Sequence, residues 1–312
     1  MSNWTTANIP DQTGKLAIVT GSTGGTGFET ALELARKGAE VVIAARNPRK
    51  GEDAMRRIRR AVPAANVRFE ALDLASQASV AVFADRLLAQ GRPVDVLVNN
   101  AGVMALPKRE VTVDGFEMQF ATNYLGHFAL TARLLPLLKA GQARVVQLSS
   151  IAHRRGRIQF DDLNHARRYR AWPVYAQSKL AMLMFGLELD RRSAAHGWGL
   201  TSVAAHPGYA RTGLIGNGPL TGRPVSRAVM GLLYRPFIEP LISHSQQAGA
   251  LPILMAATEP TVKGGAYLGA TRMNELKGPP GPAKAEPQAL DTAAAARLWD
   301  VTGQMLGVRF AA

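Results

Sequence analysis

The stretch Leu16-Ala17-Ile18-Val19-Thr20-Gly21-Ser22-Thr23-Gly24-Gly25-Thr26-Gly27 decides how the rest of the chain is read. An apolar run too short for a helix feeds directly into glycines, and a helical apolar spacing follows over Gly25–Lys37. Glycine lets the backbone turn tightly and approach a pyrophosphate, while the first turn of the next helix points unpaired N–H groups at the anion. The spacing Gly21, Gly25, Gly27 departs from the G-x-G-x-x-G form of the dinucleotide fingerprint. Its place between a first strand and a first helix is what gives the loop its meaning.

Outward from this loop the same alternation continues. Short β-branched runs at Val41–Ala44, Val67–Ala71, Val94–Asn99, Arg144–Ser149 and Leu200–Ala205 are separated by helical patterns at Pro48–Val62, Ser76–Ala89, Phe116–Lys139 and Tyr175–His196. Short apolar runs without alternation suit strands buried on both faces, and helices of this length suit crossovers. The pattern predicts an α/β fold, a doubly wound parallel sheet in a single domain spanning 1–312, with its core over 14–270. After Pro207 the regularity loosens. Gly213–Arg223 reads as a loop, Ala228–Ile242 as an apolar segment broken by prolines, and 207–244 together as a substrate lid. Ser245–Ala257 reads as helix, Ala266–Leu268 as a last strand and Gly278–Pro287 as a proline-rich connector. The extension over 271–312 ends in a helix at Asp291–Leu306, with Asp291 near its cap.

Composition narrows the function. Of 312 residues 47% are hydrophobic and 19% charged, ample for a packed core. No cysteine is present, which excludes disulfides, thiolate catalysis and cysteine-held metals. The six histidines show no metal-ligand pairing, and no run is long and apolar enough for a membrane span. With a polar start at Met1–Thr6, these features predict a cytoplasmic protein. The net charge of +14 gathers partly in Arg56-Arg57-Ile58-Arg59-Arg60 and around Arg154–Arg170, but no recognition motif or aromatic platform for nucleic acid accompanies it. A solvated helix face and a basic rim around a phosphate-bearing cofactor explain those arginines.

The chemistry sits at the ends of the strands. A free ribose 2′-hydroxyl is usually met by a carboxylate about 20 residues beyond the glycines. Here the second run ends Ala45-Arg46-Asn47, with Arg49 and Lys50 behind, and a guanidinium fits a 2′-phosphate. Asp73 after the third run can accept from an adenine amino group, and Asn100 and Gly102 after the fourth can approach a ribose. Tyr175 and Lys179, four apart, share one helix face. A free tyrosine, with a pKa near 10, is a poor acid–base group at neutral pH. An adjacent ammonium together with an oxidised nicotinamide would bring it down.

Taken together, Thr20–Gly27, Asn99–Gly102, Asn123, Ser150, Tyr175/Lys179 and Pro207-Gly208-Tyr209-Ala210-Arg211-Thr212 resemble the short-chain dehydrogenase/reductase family. The resemblance implies a Rossmann fold and a catalytic set of Asn123, Ser150, Tyr175 and Lys179. Tyr175 would carry the proton, Lys179 would lower its pKa and hold the nicotinamide ribose, Ser150 would bind the substrate oxygen, and the Asn123 region would support a water relay. Cofactor contacts are expected from Gly21, Ser22, Thr23, Gly25, Thr26, Gly27, Arg46, Asn47, Asp73, Leu74, Asn100, Ala101, Gly102, Tyr175, Lys179, Pro207, Gly208 and Thr212. The 25-residue gap between Ser150 and Tyr175, with Phe160-Asp161-Asp162-Leu163-Asn164 inside it and Ala296-Arg297-Leu298-Trp299 later, resembles the retinol dehydrogenase-like group. Thr26 and Gly24 depart from the usual glycine loop and are expected to alter its packing. In many relatives the long helices carrying Asn123 and Tyr175 dimerise, so a homo-oligomer is expected by analogy.

The expectation is therefore an NADP(H)-dependent oxidoreductase interconverting an alcohol and a ketone or aldehyde. Its partner would be a bulky hydrophobic small molecule, with no metal and no nucleic acid. The alternative from another class is a non-catalytic NADP-binding regulatory protein, against which the retained Ser150, Tyr175 and Lys179 argue.

Overall fold

Eight strands pair into one sheet in the computed structural model, which describes residues 4–210 and 243–310. They are β1 (Leu16–Thr20), β2 (Glu40–Ala45), β3 (Val67–Ala71), β4 (Val96–Asn99), β5 (Arg144–Leu148), β6 (Thr201–Ala205), β7 (Tyr267–Arg272) and β8 (Lys277–Pro282). The order across the sheet is β3-β2-β1-β4-β5-β6-β7-β8. Every neighbouring pair runs parallel except β7 and β8. The expected doubly wound sheet is thus present in a single domain, and the six strands read from the first two hundred residues each lie within two residues of the observed bounds.

Successive side chains of a strand face opposite ways, so β1 divides its residues between two cores. Leu16 and Ile18 pack with α3 (Gln77–Gln90), α5 (Gly126–Ala140) and α6 (Ala171–His196). Ala17 and Val19 pack with α1 (Gly25–Arg36), α2 (Pro48–Ala61) and a later helix, Gln246–Thr258. That helix is α7; the last described helix is α8 (Thr292–Leu306), whose N-terminus Asp291 caps by accepting from the Ala294 N–H at 2.9 Å. The basic run of α2 is an outer face: Arg57 lies over the Phe28 ring and Arg59 bonds the Val67 carbonyl, while Ile58 alone of the run is buried.

Three stretches differ from the sequence expectation. The helix expected over Phe116–Lys139 is split: a short turn, α4 (Met118–Phe120), leads into a wide turn at Ala121–Leu125, where the Gly126 N–H reaches back to the Ala121 carbonyl. Such wide turns recur at functional sites, and this one contains Asn123. The Tyr175 helix begins earlier, at Ala171, because Pro173 falls in its first turn, where the missing N–H has no partner to lose. The expected connector at Gly278–Pro287 overlaps β8, which pairs Leu268 with Pro282 and Ala270 with Pro280. Prolines are tolerated there because β8 lies at the sheet edge and pairs on one side only.

Helices α5 and α6 carry α8 of the same chain. Trp299 packs on Phe128 and Phe185, Phe310 stacks on Trp198 and packs at a tilt against Trp299, and Tyr124 shares a 2.9 Å hydrogen bond with Thr302. Arg192 closes this aromatic cluster by lying over the Trp299 ring. Leu180, Leu183, Met184 and Leu187 of α6 are all buried.

Candidate active site

The strand order reverses between β1 and β4, and in an open parallel sheet ligands lie in the crevice outside the carboxyl ends at that point. A cavity of roughly 1270 Å³ opens there, bounded at one end by the glycine loop, Arg46, Asn47 and Lys50, and at the other by Ser150, Tyr175, Lys179, Pro207 and Gly208. Asp73, Leu74, Asn100, Ala101 and Gly102 line its floor between them. Of the expected residues, Thr212 lies outside the described residues, as does most of the proposed lid, 211–242.

The glycine loop is held from beneath. Gly21 adopts a left-handed φ of 67°, and a Cβ there would sit 2.8 Å from the Ala101 Cα, so the turn and the close approach both require glycine. Thr20 Oγ1 accepts from the Asn100 and Ala101 N–H groups at 2.9 Å, and Asn100 Nδ2 donates to the Thr20 carbonyl at 2.7 Å. Asn100 Oδ1 accepts from Thr26 Oγ1, so the Asn100 side chain braces the loop rather than reaching for a ribose. Thr26, a departure from the usual loop, is thereby built into it, and its methyl packs towards Gly249 of α7. Ser22 turns away from the cavity: its hydroxyl donates to the Val19 carbonyl and the residue is fully buried. A Cβ on Gly24 would meet nothing, and α1 starts without a side-chain cap, so its first N–H groups are open to an anion.

After β2, Arg46, Asn47 and Lys50 are exposed at the rim. Asn47 also caps α2, accepting from the Lys50 N–H. Asp73 lines the floor while its Oδ1 accepts from the Ala75 N–H. This end of the cavity therefore offers cations and no carboxylate directly after β2.

At the other end, the Ser150 hydroxyl beside Tyr175 acts to lower the phenol, and burial nonetheless pushes it up to about 12. Burial brings the Lys179 ammonium down to about 8. Its Nζ donates to the Leu148 carbonyl at 2.9 Å and stands 6.0 Å from the centre of the Tyr175 ring. The phenol is not lowered in this pair: desolvation raises it, and the lowering that opposes desolvation comes from Ser150. A neutral phenol held beside a serine hydroxyl is a proton donor. An ammonium with one of its three N–H groups satisfied has two left for the cavity that it lines.

Asn123 stands behind this end rather than in it. Its Oδ1 accepts from the Val103 N–H, and its Nδ2 donates to Ser178 Oγ and to the Val103 carbonyl. Sequence reasoning missed His127, which is fully buried between the two ends. Its Nδ1 lies 2.9 Å from the Asn123 carbonyl and its Nε2 2.9 Å from Thr20 Oγ1. The carbonyl must accept, so Nδ1 carries the hydrogen and the Thr20 hydroxyl donates to Nε2. Burial pushes this imidazole down to about 3, so it is neutral. A histidine four residues after Asn123 on one helix face was the available signal.

Also missed was the apolar side of the cavity, made by Val103, Met104, Leu106, Ile151, Trp172 and Leu276. Leu276 and Asn274 come from the β7–β8 turn, hidden in the sequence by the prolines around it. Trp172, half exposed, stands edge-on to the Tyr175 ring at 6.1 Å. Among the described residues no group of acidic or histidine side chains could hold a metal ion, and no helix is long and apolar enough to cross a membrane.

Comparison with known proteins agrees with this geometry. The family model described as short chain dehydrogenase matches residues 15–218. The chain is 43% identical to mouse (Mus musculus) retinol dehydrogenase 13 over 309 residues, 98% of this chain and 86% of that protein. It is 40% identical to mouse polyprenol dehydrogenase over 267 residues, 83% of this chain and 77% of that protein. The crystal structure of an uncharacterised protein from Mycobacterium paratuberculosis superimposes with a TM-score of 0.81 at 38% identity, covering 100% of both chains. With its reversed strand order, glycine loop and paired Tyr175 and Lys179, the chain belongs to the short-chain dehydrogenase family, as an oxidoreductase of the retinol dehydrogenase-like group.

Proposed function

We propose that the protein uses NADPH to reduce a bulky, hydrophobic ketone or aldehyde, with Tyr175 as the proton donor. The observation that carries this reading is one cavity with a phosphate-binding end at the glycine loop and Arg46 and a proton-donating end at Ser150 and Tyr175. The cradle suits a dinucleotide: the loop backbone can approach a pyrophosphate over Gly24, and cations rather than a carboxylate follow β2. A bound nicotinamide supplies the hydride. Arg46 and Lys50 would pair with a 2′-phosphate, and the uncapped N–H groups of α1 would meet the pyrophosphate. Lys179, which lines the cavity with free N–H groups, would hold the ribose hydroxyls, and the Ser150 hydroxyl would donate to the substrate oxygen as negative charge develops there.

Tyr175 gives that oxygen its proton. With the phenol up at about 12 the proton is present throughout the physiological range. The apolar wall from Val103 to Trp172 excludes water and takes the body of the substrate, in keeping with relatives named for retinol and polyprenol. The test is NADPH consumption with a panel of aromatic, steroid, terpenoid and aliphatic carbonyls. Tyr175→Phe is expected to lose turnover at least a hundredfold while binding NADPH within about twofold of wild type. Full turnover by that variant refutes the proton assignment. NADPH binding without turnover on any carbonyl would instead favour a regulatory protein.

A further inference from the structure

The turn between β7 and β8 places three successive non-glycine residues, Met273, Asn274 and Glu275, at φ values of 51°, 54° and 67°. L-residues hold this left-handed conformation only where their surroundings over-determine it, and such turns cluster at functional sites. Here the surroundings converge on one carboxylate. Glu275 Oε2 lies 2.8 Å from the Arg154 guanidinium and 3.1 Å from His206 Nε2, and Oε1 accepts from the Lys284 N–H at 2.9 Å. The Gly208 N–H donates to His206 Nδ1, so Nε2 of this buried imidazole carries a hydrogen and donates it to Glu275. Arg154 also donates to the Asn274 carbonyl and side-chain oxygen.

Two of these partners, Arg154 and His206, adjoin turns that face the cavity. Arg154 lies in the turn Ile151–Arg155, directly after Ser150. His206 directly precedes Pro207 and Gly208, and the Tyr209 N–H donates to the Leu276 carbonyl at 2.7 Å. Gly208 itself is left-handed at 66°, and a Cβ there would come 2.5 Å from that carbonyl, so the tip rests directly on the Gly208 backbone. Asn274 and Leu276, on either side of Glu275, line the cavity. All of this hairpin lies beyond residue 218, where the match to the family model ends.

We propose that Glu275 is a positioning residue that locks the Ser150 turn, the Pro207-Gly208 turn and the β7–β8 tip into one register, and that the tip, through Leu276, sets the size of carbonyl accepted beside Tyr175. This rests on the functional reading above, since it takes that end of the cavity to hold the nicotinamide and the carbonyl. Glu275 touches neither, and acts through Arg154 and His206. Glutamine at 275 keeps an acceptor but loses the charge, and its amide brings two N–H groups against two existing donors.

The test uses the full chain with two probes, adenosine 2′,5′-bisphosphate for the phosphate end and NADPH, whose nicotinamide fluorescence reports the other. Glu275→Gln is expected to bind the bisphosphate within twofold of wild type, to lose most of the fluorescence enhancement of bound NADPH, and to lower kcat at least tenfold. Leu276→Ala, which leaves the carboxylate in place, is expected to shift kcat/KM between a bulky and a small carbonyl by about tenfold, again without change in bisphosphate binding. Equal weakening of both probes in Glu275→Gln would mark a merely structural ion pair and overturn the proposal. So would wild-type behaviour of that variant, or an unchanged size preference in Leu276→Ala should Glu275→Gln fail to fold. A wild type inert towards every carbonyl defeats the functional reading, and the fluorescence split between the two probes still decides the role of Glu275.

Discussion

Lys179→Met should make the dinucleotide-free protein more stable at neutral pH and inactive. The ammonium is buried with one protein acceptor, and its pKa falls from an ordinary 10.5 to about 8. That depression corresponds to roughly 3 kcal/mol borne by the folded state while the lysine is charged. Methionine removes the charge at similar volume and leaves the Leu148 carbonyl without this donor, a loss of about 1 kcal/mol. The net expectation at pH 7 is a gain of about 2 kcal/mol, or about 4 °C in Tm for a chain of this size. The pH dependence has a definite sign. Below pH 8 both folded and unfolded wild type hold the proton, so the penalty is present in full. Between about 8 and 10.5 the unfolded chain still holds the proton that the folded one has shed, so wild-type stability rises with pH through that window. The variant cannot titrate there, so its advantage should shrink and reverse by pH 10.5. Thermal unfolding of both proteins from pH 6.5 to 10.5 measures the difference. A wild type more stable than the variant at pH 7, with a gap that does not vary with pH, would refute the reasoning.

Other perturbations follow from the same contacts. Arg46→Asp should weaken NADPH binding by about 10- to 100-fold and improve NADH use, read by titrating both dinucleotides, because a charge-assisted bond to phosphate becomes a repulsion. His127→Ala should cost about 2–4 kcal/mol in chemical denaturation, since it opens a cavity and removes the imidazole's hydrogen bonds to Thr20 Oγ1 and the Asn123 carbonyl. In His127→Gln, part of the acid lability should disappear: the imidazole, held near 3 when folded, takes up its proton on unfolding, and wild-type stability therefore falls as pH drops below 6.5. Trp299→Ala should destabilise by about 3–5 kcal/mol by unpacking Phe128, Phe185 and Phe310, measured by the same denaturation.

The sheet was legible because its signals are local. β1 runs into glycines, the buried strands are short and β-branched, and each crossover helix repeats its apolar residues at helical spacing. The residues that meet in the cavity were legible for a related reason: strand ends in a parallel sheet share one edge, so Gly21, Asp73, Asn100, Ser150 and Pro207 had to converge. What stayed hidden depends on contacts distant in sequence. β8 reads as a loop because its prolines deny it a second neighbour, and only its place at the edge makes that harmless. Ser22 and Asn100 match a binding motif, yet the fold uses their side chains as braces. The protonation of Tyr175 also depends on how deeply the pair is buried, which spacing along a helix does not disclose.

The aromatic cluster built by Trp299 and Phe310 has a consequence for how the chain is made. These side chains cover helices α5 and α6, and they leave the ribosome more than a hundred residues after Lys179. Until they arrive, Phe128 and Phe185 are bare, and the helix that carries Tyr175 and Lys179 lacks one of its supports. The nascent protein thus holds its reactive residues on an unfinished scaffold during late translation, when exposed apolar surface invites association with other chains. A nonsense codon immediately before residue 292 would leave every motif of the cavity intact in sequence and still yield a product that chaperones and proteases treat as incomplete.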